Sequence, residues 1–115
     1  IFPEGSLGLS LRKPKPGAIY LSTLGQVPII PLGIHGVDQP YFHYIFRGIR
    51  PTIFAQFGKP MGPFKLPSNK QDREKKLEKI GDEMMCHIAA LLPETMHGEY
   101  AGNPSIKKYR AKNIL

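Results

Sequence analysis

Val27-Pro28-Ile29-Ile30-Pro31-Leu32-Gly33-Ile34 is the stretch whose reading decides the fold class. It is a dense apolar run, short and rich in branched side chains, which favours a strand buried on both faces, as in an α/β sheet. Proline cannot donate to a β ladder, so Pro28 and Pro31 demand an irregular strand with a proline where it begins. The wider window 16–34 carries no charge and approaches the length of a membrane span. Gly25, Pro28 and Pro31 break it, and Ser22, Thr23 and Gln26 dilute it. A short helix, a turn and a strand account for it better than a transmembrane helix does.

Upstream, Pro16 suits a first helical position, because the N–H it lacks has no helical partner there. Gly17 to about Leu24 reads as a short helix with Ala18, Leu21 and Leu24 on one face, stopped by Gly25 at the left-handed position. Arg12-Lys13-Pro14-Lys15-Pro16 is a basic, stiff approach to it. Ile1-Phe2 reads as the end of a buried strand stopped by Pro3, and Glu4 to Gly8 as a loop. A chain that opens on such a pattern reads as a fragment.

Downstream, residues 35–50 form a loop dense in aromatics (Tyr41, Phe42, Tyr44, Phe46) that ends on Arg47 and Arg50. Thr52 to Phe57 reads as another strand, followed by a Gly58-Lys59-Pro60 turn. Ser68 or Asn69 caps a long helix reaching about Leu92, with Leu77, Ile80, Met84, Ile88 and Leu91 along one face. Cys86 falls opposite that stripe, an inert thiol with no base in view. The order strand, helix, strand, strand, helix predicts an α/β fold: a partial mixed sheet with flanking helices, lacking its upstream half. Residues 1–103 form the domain portion, and residues 104–115 a basic, loosely held tail.

The chain has 115 residues and a formal net charge of +7, from 16 basic and 9 acidic side chains. That balance favours anionic partners: phosphate-bearing substrates, acidic lipid surfaces or nucleic acid. One cysteine excludes an internal disulfide and fits a reducing compartment. Four scattered histidines offer no zinc spacing.

Phe2-Pro3-Glu4-Gly5-Ser6 places a carboxylate where a buried strand ends, which in α/β proteins faces the ligand crevice. The glycines leave backbone N–H groups open to an anion, and Arg12, Lys13 and Lys15 follow closely enough to close over it. A solvated turn beside a basic loop is the plainer reading of the same residues.

These residues resemble the Phe-Pro-Glu-Gly-Thr/Ser-Arg motif of glycerolipid acyltransferases of the 1-acylglycerol-3-phosphate type. Lys15 to Ser22 is similar to that family's Lys-x-Gly-x-x-x-Leu-Ala helix, and Val27 to Gly36 to its Val-Pro-Val-Val-Pro-Val strand. Gly58-Lys59-Pro60 resembles a later Gly-x-Pro turn, and Leu92-Pro93-Glu94 with Tyr100-Ala101-Gly102 the ending of bacterial members. The first 36 residues carry most of the likeness. Leu7 stands where the family places Arg on the acceptor's phosphate, which leaves that role to Arg12 or Lys13. The family's Asn-His-x-x-x-x-Asp motif is not in these residues, and His35, His43, His87 and His97 have no Asp five positions on.

The resemblance implies the C-terminal portion of the glycerol-phosphate acyltransferase fold. It implies transfer of a fatty acyl group from acyl-CoA or acyl carrier protein to the hydroxyl of a lysophospholipid or glycerol-phosphate acceptor, in phospholipid biosynthesis. A His acts as general base in that chemistry, and donors stabilise the oxyanion. The chain would supply the acceptor side through Glu4, Gly5, Ser6, Arg12 and Lys13, and by itself would be inactive. The thioester is a co-substrate, and no metal or redox cofactor is implied. The expected location is the cytoplasmic face of a membrane. The aromatics at 41–46 with Arg47 and Arg50 fit a headgroup layer, a stacking platform or simple packing onto the sheet. A membrane surface is the expected partner and nucleic acid is not. The alternative is a noncatalytic basic module that binds lipid surfaces or nucleic acid.

Overall fold

The computed structural model describes residues 1–5, 10–36, 46–48, 50 and 52–113. Its elements are α1 (Gly17–Gly25), β1 (Leu32–His35), β2 (Phe54–Phe57), α2 (Lys70–Ala89), 3-10 turns at Glu94–Met96 and Gly98–Tyr100, and α3 (Pro104–Asn113). Together they make a small mixed α/β arrangement, three helices beside a two-stranded antiparallel sheet.

The molecule is organised around α2. Asn69 stays extended and its side chain accepts a hydrogen bond from the Gln71 N–H at 2.9 Å, satisfying a donor that the first turn leaves open. Leu77, Ile80, Met84 and Leu91 of the expected stripe are buried. Met85, Cys86 and Ala89 are buried as well, in a cluster completed by Leu11, Tyr100 and, from α3, Ile106. Residues 104–113 are therefore a docked helix and not a loosely held tail. Asn103 Oδ1 starts that helix by accepting from the Ser105 N–H at 3.0 Å. Helix α2 ends at Ala89, before the expected Leu92, since the residue preceding Pro93 is driven out of helical geometry.

The proline-broken run behaves as its composition requires. Ile29 bridges to Met61 through two hydrogen bonds of 2.7 and 2.8 Å. Pro31 then interrupts, and the regular ladder starts at Leu32 opposite Phe57 and ends with His35 opposite Phe54. Three expectations are corrected here. Among the described residues the sheet is antiparallel and not mixed, and Ile1-Phe2 stays outside it, with Pro3 next in line lacking an N–H for a ladder. The strand expected to be buried on both faces leaves Leu32 and Ile34 exposed, because helical cover reaches the sheet where Gly33 meets α2's C-terminal end.

Helix α1 also turns a different face inward. Ala18, Ile19 and Ser22 are buried, with Ile19 packed against Leu77 and Ile80 of α2. Leu21 and Leu24, expected in the core, are 60% and 82% exposed. The left-handed residue that ends α1 is Gln26 and not Gly25 (φ 48°); its N–H reaches the Ser22 carbonyl, and its side chain donates to the Thr23 carbonyl at 2.7 Å. No helix among the described residues is long and apolar enough to cross a membrane.

Candidate functional site

The Glu4 turn is built from local chemistry. Pro3 presets its own φ, and the Gly5 N–H closes the turn on the Phe2 carbonyl at 3.0 Å. Gly5 sits at φ +76°, where a side chain would be strained. The basic loop is fastened to this turn by its backbone: the Lys15 N–H donates to the Pro3 carbonyl at 2.6 Å. Further back, the Leu11 N–H donates to the Met96 carbonyl at 3.0 Å, and the Glu99 N–H to the Leu11 carbonyl at 3.1 Å. The approach to α1 is thus held at both ends.

Lys15 lies across Gly5. A Cβ placed on Gly5 would stand 3.0 Å from Lys15 Cδ and Cε and 3.2 Å from Nζ. The ammonium is therefore beside the turn that carries Glu4. Arg12, Lys13 and Lys15, the cations expected there, are all exposed, and Lys15 is the one that lies over Gly5. Lys13 lines a second groove of about 310 Å³ along α2, where Glu74, Glu78 and Asp82 lie opposite. Lys15 is the residue that the motif comparison left out of the site. Its signal is its place in the basic loop that follows the Glu4 turn, where it is expected with Arg12 and Lys13 to close over an anion. Lys13 and Lys15 both line that second groove. Ser6 and Leu7 lie outside the described residues, as do Tyr41, Phe42 and Tyr44 of the aromatic segment. Phe46, Arg47 and Arg50 are exposed.

Glu4 is half-buried on the wall of an open groove of about 360 Å³. Ile1, Phe2 and the β1 residues Leu32 and Ile34 line this space together with Met84 and Ile88 of α2. Among the described residues, Glu4 carries the only ionisable side chain in the lining. The groove therefore offers a hydrocarbon surface that meets one carboxylate, with the Lys15 ammonium near the same turn. Such a site can hold a molecule with an apolar body, a hydroxyl that donates to the carboxylate and an anionic group beside the ammonium.

None of the described histidines lines this groove. His35 stacks on Phe54 at 4.8 Å between ring centroids. His97 is buried, and its Nε2–H donates to the Leu92 carbonyl at 3.1 Å. His87 lies between α2 and α3, stacked on Tyr109. Cys86 is 2% exposed, and burial, reinforced by Asp82 and Glu83, pushes its thiol pKa up, so the thiol is a core group and not a nucleophile. The described residues supply a place to bind and orient, without a general base beside Glu4. No family model, curated protein or solved structure matches the chain.

Proposed function

We propose that the chain is the acceptor-holding part of a glycerolipid acyltransferase of the 1-acylglycerol-3-phosphate type. The observation that carries the reading is the place of Glu4, at the wall of an apolar groove and on a turn that Lys15 covers. In this reading the carboxylate accepts a hydrogen bond from the acceptor hydroxyl, Lys15 offsets the acceptor's phosphate, and the hydrocarbon lies along Leu32, Ile34 and Ile88. Leu7 then needs no arginine in its place, because Lys15 supplies the cation. The general base and its orienting carboxylate come from outside these residues, and the acyl group arrives as a CoA or carrier-protein thioester. In this reading the protein works at the cytoplasmic face of a membrane.

The test is an acyl-transfer assay of the complete protein with lysophosphatidate and acyl-CoA. Glu4→Gln should lower kcat/KM about a hundredfold, the range of a lost charged contact to the reacting group. Lys15→Ala should raise KM more than it changes kcat. Transfer to a hydroxyl acceptor without phosphate would replace the substrate assignment. Tight, salt-sensitive binding of single-stranded nucleic acid without any acyl transfer would favour the noncatalytic basic module instead.

A further inference from the structure

Helix α3 is held on α2 by a small set of contacts. Ile106 joins the core, and Tyr109 stacks on His87 with ring centroids 3.7 Å apart and planes 17° from parallel. Arg110 donates from Nε to the Ala90 carbonyl at 3.3 Å and from Nη2 to the Leu92 carbonyl at 3.1 Å. His87 is the unusual member of the set. Its Nδ1 is shut away from solvent with no hydrogen-bond partner among the described residues.

That arrangement suits a neutral imidazole, whose proton-free nitrogen loses little by facing apolar groups. An imidazolium needs acceptors for two N–H groups, and at Nδ1 it would find none among the described residues. We infer that α3 is an acid-released latch: it stays docked on α2 while His87 is uncharged and detaches when the imidazole takes up a second proton.

Burial decides the direction, and the charges around the ring modify it. Burial lowers the His87 pKa, Glu83 one turn back on α2 raises it, and Lys112 on α3 lowers it, with burial the largest effect. The Tyr109 phenol, itself shifted upward chiefly by burial, stays neutral across this range and does not offset the charge. Arg110, another of the four cations on α3, is already engaged with the Ala90 and Leu92 carbonyls at the α2 end. The docked state therefore binds fewer protons than the detached one. Its stability is complete above the ordinary histidine value of about 6.5 and falls as pH drops toward the docked-state value.

Helix α3 is the element that yields. Its span Pro104–Asn113 is too short to persist alone in water, and local opening of a terminal helix needs less free energy than global unfolding. Detachment uncovers the α2 side next to His87, where Cys86 is 2% exposed when α3 is docked. The inference is independent of the acyl-transfer reading.

Hydrogen exchange by mass spectrometry on the 115-residue chain tests it, at about pH 7.5 and about pH 5.5 with intrinsic rates corrected. Protection over 104–113 should fall about threefold or more on acidification while protection over 77–89 holds. His87→Phe keeps the stacked ring without the titration and should give equal α3 protection at both pH values. Unchanged protection in the unsubstituted chain, an equal loss in His87→Phe, or loss over α2 in step with α3 would each overturn the latch. Should His87→Phe fail to fold, the imidazole titration followed by NMR in the unsubstituted chain decides. A His87 pKa at or above the ordinary value overturns the inference. A lower one, with the Ile106 methyl signals shifting in step, upholds it.

Discussion

Gly33 is where β1 meets the C-terminal end of α2, and an added methyl there has a calculable consequence. A Cβ on Gly33 would lie 2.6 Å from Leu91 Cβ, 3.1 Å from the Leu91 carbonyl oxygen and 3.3 Å from its carbon. Two of those atoms are backbone and the third is fixed to it, so no side-chain rotation relieves the overlap. Either β1 lifts from α2 or the turn after α2 shifts. Overpacking of this kind costs about 1–3 kcal/mol. Gly33→Ala should therefore lower the urea midpoint with an unchanged m value, and lower Tm by about 4 °C for each kcal/mol. Gly17→Ala is the matched control. Nothing lies within 4 Å of a Cβ at Gly17, the first residue of α1. Gly17→Ala should stabilise by about 0.4–1 kcal/mol, by restricting the unfolded chain and favouring the helix. The chain has five tyrosines and no tryptophan, so far-UV circular dichroism with tyrosine fluorescence follows both transitions. If Gly33→Ala unfolds at the same urea concentration as the parent, the contact between β1 and α2 is not the close one described, and the groove wall built on β1 goes with it.

The Tyr100 hydroxyl donates to Asp82 Oδ1 at 2.9 Å, and burial with that bond pushes the phenol pKa well above its ordinary value. Its contribution to stability is complete below about pH 10 and is lost as pH rises toward the folded-state value. Tyr100→Phe should cost about 1–3 kcal/mol at neutral pH and flatten the alkaline limb of a stability–pH curve measured by urea unfolding. Asn69→Ala removes the acceptor for the Gln71 N–H and should cost about 1 kcal/mol, with faster hydrogen exchange confined to the first turn of α2. The Cys86 thiol, buried and shifted upward, should react with a thiol reagent at least about a hundredfold more slowly in the native chain than in urea. Equal rates in the two states would place the thiol at the surface.

The sequence alone was enough for most features that depend on near neighbours, though the left-handed stop of α1 falls on Gln26 and not on Gly25. The β2 strand, the Asn69 cap and the start of α1 after Pro16 follow from capping and turn chemistry within a few residues. So does the ladder's interruption at Pro31, because a missing N–H acts wherever the residue sits. The turn carrying Glu4 was legible for the same reason, since Pro3 and Gly5 dictate it. Tertiary structure decided which surfaces are covered. Periodicity marks an apolar stripe, but whether a neighbour lies over it depends on elements far away in the chain. Leu21 and Leu24 face outward because α2 meets α1 on the Ile19 side, and Cys86 is buried because α3 returns across residues about twenty positions earlier. Lys15, and not Lys13, covers Gly5 because one backbone bond to Pro3 fixes where the basic loop crosses the turn. Local rules choose the elements; only packing between distant segments chooses which of their faces meet water.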